Sequence, residues 1–308
     1  MLRMIEDVVI GYKDYLPVRL IVFPEFSISS IPCNSSNELI DKVALPADNE
    51  FVDSFVESAA KHNIVINLGT FIEKRSDDNA VFNTSITVDK NGPIISYRKL
   101  NPFIPLEPVH SPHDLEDYDD SWLPVADTEI GSLATQICYD ARFPEMSRVL
   151  RFKGAELIMV PSAFMEPWGV RPPMDVWSVA LRGRAIENSV FVVGCSLASS
   201  YSNHPPFSWT GGSMIVDYEG RIVAQAAGNT EQILVAPINI NELRSFRELT
   251  NLFSPNHLRT EIYKDFYAES VFPPKSAFFG QNRNVSQDSL RRLLNELKTE
   301  HKTKRSSM

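Results

Sequence analysis

Cysteine is scarce in this chain: Cys33, Cys138 and Cys195 are the only three in 308 residues. They lie far apart and follow no metal-ligand spacing, which argues against a disulfide framework and a Cys-rich metal site. Free thiols in a reducing, cytoplasmic setting are the plain expectation. Long apolar runs are missing too. None approaches the ~20 residues of a membrane span. Arg3, Glu6 and Asp7 interrupt the stretch that a signal sequence would keep apolar. Nor is there an excess of basic charge. Lys and Arg number 30 against 39 Asp and Glu, a net charge of −9, so the basic face of a nucleic-acid binder is not expected. No internal repeat or linker-like stretch divides the chain.

Hydrophobic residues, at 43%, are plentiful enough for a substantial core. Residues 2–14 place Ile5, Val8, Val9 and Tyr12 at helical spacing. Residues 49–61 place Phe51, Val52, Phe55, Val56 and Ala59 on one helical face, with Asp48 or Asn49 able to cap its start. Further helices are expected at 142–153, 174–188, 239–249 and 289–301. Strands are expected at 19–23, 64–71, 132–137, 157–160, 190–195, 213–216, 222–226 and 232–236. Segments 81–88 and 94–97 read as a hairpin around Asn91-Gly92. This alternation predicts a mixed α/β layer architecture. Residues 100–122 break the pattern with four prolines and many acids, and a loop of that length inside a domain is usually functional. One domain over 1–270 is expected, with 271–308 as an extension, a helix and then a frayed tail.

The chemistry begins at Cys138. A strand-like run stops there and a charged segment able to begin a helix follows. A thiol at such an elbow sits near helix amides that favour a thiolate. Alone, it reads as readily as a small buried hydrophobe. Two distant segments change that. Val22-Phe23-Pro24-Glu25-Phe26 ends a strand on a carboxylate, and Tyr97-Arg98-Lys99-Leu100 ends another on an ammonium. Amide hydrolysis by a thiol needs a base, a cation or donors for the oxyanion and an acid for the departing amine. Glu25, Lys99 and Cys138 are of those types, and strand ends in α/β sheets gather at one edge.

Phe23-Pro24-Glu25, Tyr97-Arg98-Lys99 and Ile137-Cys138-Tyr139-Asp140 resemble, in order and approximate separation, the three signature segments of the nitrilase superfamily of carbon–nitrogen hydrolases. The resemblance runs from the first helix to about residue 270. It implies an αββα sandwich of mixed sheets with outer helices. Glu25 would be general base and acid. Lys99 and the backbone N–H of Tyr139 would hold the oxyanion. Cys138 would form a thioester and release ammonia or an amine. No cofactor or metal is implied. The stretch from Lys99 to Glu107 is similar to the aliphatic-amidase version of the lysine segment, so Glu107 would orient the substrate amide or hold Lys99; a solvated loop acid is the alternative reading. Phe26 and Phe103 would wall the pocket, though both serve equally well as core aromatics. Ser162 and Phe164 follow a strand end where the family contacts substrate, and Trp168 would close the pocket. Arg184 and Glu187 resemble the paired residues of a supporting helix beneath the cysteine.

The same resemblance implies a small-molecule amide as partner, and a homodimer or larger homo-oligomer through residues 142–153 and the C-terminal segment; the charge balance and the short apolar runs add the expectation of no nucleic acid and no membrane. One element of the family pattern is missing. A strand normally precedes the first helix, whereas here the helix signal starts at Met1, which would leave the strand leading to Glu25 with an open edge. Nitriles are an alternative substrate, but Cys138-Tyr139-Asp140 departs from the Cys-Trp-Glu usual in nitrilases. An N-carbamoyl hydrolase and an inactive, N-terminally shortened pseudoenzyme also stand open. His110, His113, Asp114, Glu116, Asp117, Asp119 and Asp120 crowd one loop but match no metal spacing, and read as solvated charge. Cys195 reads as a core strand residue, and Cys33 carries no expected role.

Overall fold

The computed structural model describes residues 1–30, 33–76, 78, 80–115, 121–167, 175–198, 207–227, 230–249, 254–268 and 284–306. Local signals set several elements directly. Helix α1 covers Leu2–Tyr12 and buries Ile5. Strand β1, Leu20–Val22, follows it, and a short helix α2 covers Ser36–Lys42. Helix α3, Glu50–His62, starts where Asn49 Oδ1 accepts the amides of Phe51 and Val52 at 3.1 and 3.3 Å, as its capping chemistry predicts. It ends where Asn63 takes a left-handed conformation, φ 51°.

Strands β2 (Val65–Asn67), β3 (Phe71–Lys74), β4 (Val81–Asp89) and β5 (Gly92–Arg98) join β1 in one mixed sheet. The order is β1-β2-β4-β3, with β5 on the other side of β4, and β1 lies parallel to β2 at the end of that order. The second sheet is built from β6 (Val125–Thr128), β7 (Gly131–Thr135), β8 (Leu157–Ser162), β10 (Phe191–Ser196), β12 (Met214–Val216) and β13 (Ile222–Gln225). Its order is β13-β12-β10-β8-β7-β6, parallel from β7 through β8 to β10. Two short strands, β9 (Met165–Pro167) and β11 (Phe207–Trp209), pair apart from both sheets.

Three apolar clusters turn these sheets into layers. Ile5, Val52, Phe55 and Ala59 pack α1 and α3 on Ile66, Phe71, Ile86 and Val88 of the first sheet. Val65, Ile95 and Tyr97 of that sheet meet Leu133, Leu157, Met159 and Phe191 of the second. Leu150 of α4 (Pro144–Phe152) and Trp177, Leu181 and Ala185 of α5 (Val176–Asn188) cover the far face of the second sheet. The result is helix, sheet, sheet, helix, the expected αββα sandwich. Each large side chain fully buried this way contributes about 1.5–3 kcal/mol. Helices α6 (Ile240–Leu249), α7 (Thr260–Ala268) and α8 (Gln287–Ser306) follow. Just ahead of α8, Val285 accepts from the Ser36 amide at 2.8 Å and returns the chain to α2.

Three sequence expectations need correction. The strand expected over 64–71 is two strands, β2 and β3, with a break at Leu68-Gly69-Thr70. Gly69 has φ +74°, and a Cβ there would lie 2.0 Å from the Pro24 carbonyl oxygen. Ser27 Oγ donates to Leu68 O at 2.6 Å and the Phe26 amide donates to Thr70 Oγ1 at 2.8 Å. The break thus receives the loop that carries Glu25, a long-range contact that local pattern does not show. Segment 232–236 is not a strand; apolar residues there line a cavity instead of pairing. Helix α2 and strand β6 were not expected at all, being short and weakly apolar.

Candidate active site

The carboxylate of Glu25 stands three residues past β1, in the loop seated on the Gly69 break. Lys99 directly follows β5, its amide donating to Asn83 O at 2.9 Å. Glu107 comes from the proline-rich loop, where its Oε2 accepts the Phe103 amide. All three side chains are buried. Lys99 Nζ donates to Glu25 Oε1 at 2.8 Å and to Glu107 Oε1 and Oε2 at 2.9 and 2.8 Å. Glu25 Oε2 accepts the Ala163 amide at 2.7 Å, just past the end of β8. The loop-acid reading of Glu107 is therefore excluded: it is an inner partner of the lysine.

Cys138 opens a 3₁₀ turn, Cys138–Arg142, three residues past the end of β7 and has φ 49°. A left-handed conformation is costly for a residue with a side chain and persists only where its surroundings enforce it. Asp140 enforces it. Its Oδ2 accepts the Ile137 amide at 3.0 Å and the Tyr97 hydroxyl at 2.7 Å. Its Oδ1 accepts both the backbone amide and Nδ2 of Asn101 at 3.0 Å. Tyr97 and Asn101 flank Lys99, so one buried carboxylate ties the elbow to the lysine segment. From beneath, Arg184 donates to the Ala141 carbonyl at 3.2 Å while its Nε lies 2.7 Å from Glu187, the supporting pair that the sequence suggested.

Charge in this site is governed by burial first. Burial pushes the Cys138 thiol well above its ordinary range, and the Glu25 carboxylate pushes it further; Lys99 opposes this without reversing it. Burial and Glu25 thus oppose the helix-end amides that favour a thiolate, and the sulfur needs the nearby base that amide hydrolysis by a thiol calls for. Burial opposes the charge on Lys99, but Glu107 and Glu25 outweigh burial and hold the ammonium protonated. For Glu25, burial raises the carboxyl, Lys99 lowers it and Glu107 raises it, leaving it above the usual carboxylate range. A carboxylate of raised basicity beside a protonated thiol can take its proton, and the ammonium can steady a negative oxygen.

The remaining candidates divide. Ser162 ends β8 and is buried, its hydroxyl without a hydrogen-bond partner. Tyr139 packs edge-on against Phe103 at 5.1 Å and Phe143 at 5.3 Å, and Phe103 is 38% exposed. Phe26 packs on the cluster of Cys33, Leu39, Ile72, Val81 and Val109, so it anchors the Glu25 loop. Phe164 stacks on Trp177 at 5.7 Å and joins the core under the second sheet. Trp168 lies outside the described residues, as do Glu116, Asp117, Asp119 and Asp120. His110 is buried and accepts the Val81 amide at 3.0 Å. The sequence reading missed Asn83, whose amide reaches both glutamates, and the bracing by Asp140. A signal was available for Asn83: Asn83, Ser85 and Thr87 put polar groups at alternate positions of a strand that is buried from Val81 to Val88. A cavity of about 900 Å³ lies away from these groups, beside the outer edge of β1, and is lined by Met4, Ile5, Leu20, Val22, Cys195 and Ile238.

The chain is similar to known proteins. The family model for carbon-nitrogen hydrolases matches residues 1–248. The nitrilase and fragile histidine triad fusion protein NitFhit of Caenorhabditis elegans is 35% identical over 74% of this chain and 51% of its own length. The chain therefore spans about half of that relative. Deaminated glutathione amidase of Dictyostelium discoideum is 33% identical over 69% of this chain and 72% of its own. The crystal structure of Saccharomyces cerevisiae Nit3, a member of branch 10 of the nitrilase superfamily, superimposes with a TM-score of 0.67 at 28% identity, covering 83% of this chain and 89% of that one.

Proposed function

The chain belongs to the carbon-nitrogen hydrolase family, and from that premise we propose that it cleaves the carbon–nitrogen bond of a small linear amide through a thioester on Cys138. Glu25 takes the thiol proton and the sulfur attacks the amide carbon. Lys99 and the Tyr139 N–H hold the resulting oxyanion. As the C–N bond breaks, Glu25 returns the proton to the departing nitrogen, which leaves as ammonia or an amine. Glu25 then deprotonates water, which attacks the thioester, and the acid departs as the sulfur regains a proton. Glu107 keeps Lys99 charged and in place. The observation that carries this reading is the buried ammonium fixed between two carboxylates, in a segment that Asp140 ties to the Cys138 elbow. The amidase named among the relatives supports amides over nitriles, and Tyr139-Asp140 after the cysteine points the same way.

Intact-mass spectrometry after brief mixing with a panel of linear amides is the direct test. The expected result is a mass gain equal to the acyl group in place of the thiol hydrogen, mapped to Cys138. If no amide of the panel leaves an adduct or is turned over, the reading is wrong.

We further propose that the chain pairs with a second copy across α4 and α5. These helices pack together and leave Val149, Phe152, Val179 and Ile186 exposed at 41%, 53%, 66% and 56%. Apolar groups this open on adjacent helices suit a subunit contact. Sedimentation should show a dimer or larger assembly that Phe152→Glu shifts toward monomer; a monomeric wild type at micromolar concentration would rule it out.

A further inference from the structure

One buried side chain of the site has no part in the chemistry just described. Asn83 Nδ2 donates to Glu25 Oε1 at 2.8 Å and to Glu107 Oε1 at 3.0 Å. Lys99 Nζ donates to the same two oxygens at 2.8 and 2.9 Å. Two acceptor oxygens and two donor nitrogens therefore alternate around a closed ring. Meanwhile Asn83 Oδ1 is buried and has no partner. Leaving a buried carbonyl unpaired costs on the order of 1–3 kcal/mol, so the amide is oriented by what its nitrogen does.

Few side chains could do this. Serine or threonine offers one proton, and an apolar residue none. A second lysine would add charge and weaken the base. The primary amide supplies two donors at no charge. That matters because Glu25, Glu107 and Lys99 together carry a formal −1, and like charges crowded in a buried site drive a proton onto one of them. A neutral donor bonded to both carboxylates lowers the cost of ionising both.

We propose that Asn83 is a positioning residue, clamping the Glu25 and Glu107 carboxylates on either side of Lys99 so that Glu25 stays ionised and fixed near Cys138. The proposal deepens the hydrolase reading and rests on it for the role of Glu25. The charged and titratable groups that face Glu25 are Lys99 from the end of β5, Glu107 from the loop and Cys138 from the elbow, with Asp140 acting on Lys99 from behind. Burial first, and then Glu107, already raise Glu25 against the pull of Lys99. Loss of the Asn83 donors removes part of what favours its charged form. A base must be ionised to work, so the rate falls as pH drops through its pKa. Raising that pKa moves the acid limb to higher pH.

The test follows alkylation of Cys138 by iodoacetamide, quantified by peptide mapping, against pH. It needs no substrate. Wild type should show an acid limb that Glu25→Gln abolishes. In Asn83→Leu, close in size but without donors, the limb should move up by about one pH unit, with about a tenfold slower rate near neutrality. Asn83→Ser, keeping one donor, should fall between and serves if the leucine variant does not fold. A merely structural role would reduce the folded fraction and leave the limb in place. A folded leucine or serine variant whose limb overlays that of wild type overturns the proposal, as does a limb that survives Glu25→Gln. Failure of wild type to turn over any amide, with the shift still seen, would instead defeat the hydrolase reading and leave the clamp standing.

Discussion

Alanine at position 138 should abolish amide turnover, lowering ammonia release by at least about 10³-fold, because the thiol is the nucleophile that forms the acyl intermediate. The folded structure should survive. Cys138 already sits at φ 49°, alanine meets the same backbone cost there, and the bracing by Asp140 reaches the elbow through Ile137, Tyr97 and Asn101 without the sulfur. Alanine loses only the sulfur of a half-buried side chain, a small void costing on the order of 1 kcal/mol, so stability should nearly hold. The two readouts separate chemistry from folding: activity lost, melting temperature kept. Cys138→Ser should be nearly as inactive. A hydroxyl is a far weaker acid than a thiol, and a carboxylate only moderately raised in basicity cannot extract its proton efficiently. Ammonia release from Cys138→Ala equal to wild type, after exclusion of contaminating amidase, would remove the sulfur from the reaction and with it the thioester.

Much of this site is legible in sequence because its reactive groups lie at strand ends, and strand ends are marked locally. Apolar runs stop at Pro24-Glu25, at Arg98-Lys99 and at Cys138, and the structure brings the two glutamates and the lysine into contact beside the elbow. The hairpin of β4 and β5 was equally plain, since Asp89 accepts the Asn91 amide at 2.7 Å across a short polar turn. What escaped depends on contacts between distant segments. The break at Gly69 exists because the Glu25 loop, more than 40 residues earlier, needs room. Its glycine gave the only local hint. The upward push on the Cys138 thiol escaped for a similar reason: helix-end amides are a local feature, whereas burial and the carboxylate that oppose them come from the assembled core. The roles of Phe26 and Phe164 were undecidable from pattern, as an aromatic beside a strand end can turn toward a pocket or toward the sheet, and the described contacts turn both toward apolar clusters. Segment 232–236 has a strand's composition but faces a cavity, where composition alone gives no pairing partner.

Lys99→Met should be the most damaging single change to the fold itself. Methionine matches the length and fills the space, so packing is nearly kept and charge is what changes. In wild type the ammonium donates three hydrogen bonds to Glu25 and Glu107, with all three groups 3% exposed or less. Breaking a buried ionic cluster by removing one partner costs about 3–5 kcal/mol, since the charges left behind have neither water nor counter-ion. Asn83 alone cannot offset two carboxylates. The pH dependence gives the mechanism away. A buried carboxylate left unpaired binds its proton more tightly folded than unfolded, so the folded state of the variant gains relative stability as pH falls and loses it as pH rises through the raised folded value. The gap between wild type and variant in urea unfolding should therefore be wide at neutral pH and shrink toward about pH 5, and Glu25→Gln added to Lys99→Met should recover part of it. Activity should fall by about 10²–10³-fold or more at every pH, as the oxyanion loses a preorganised charge. A variant as stable as wild type at neutral pH, or one whose deficit grows on acidification, would show that the lysine is not the counter-charge holding these two acids together.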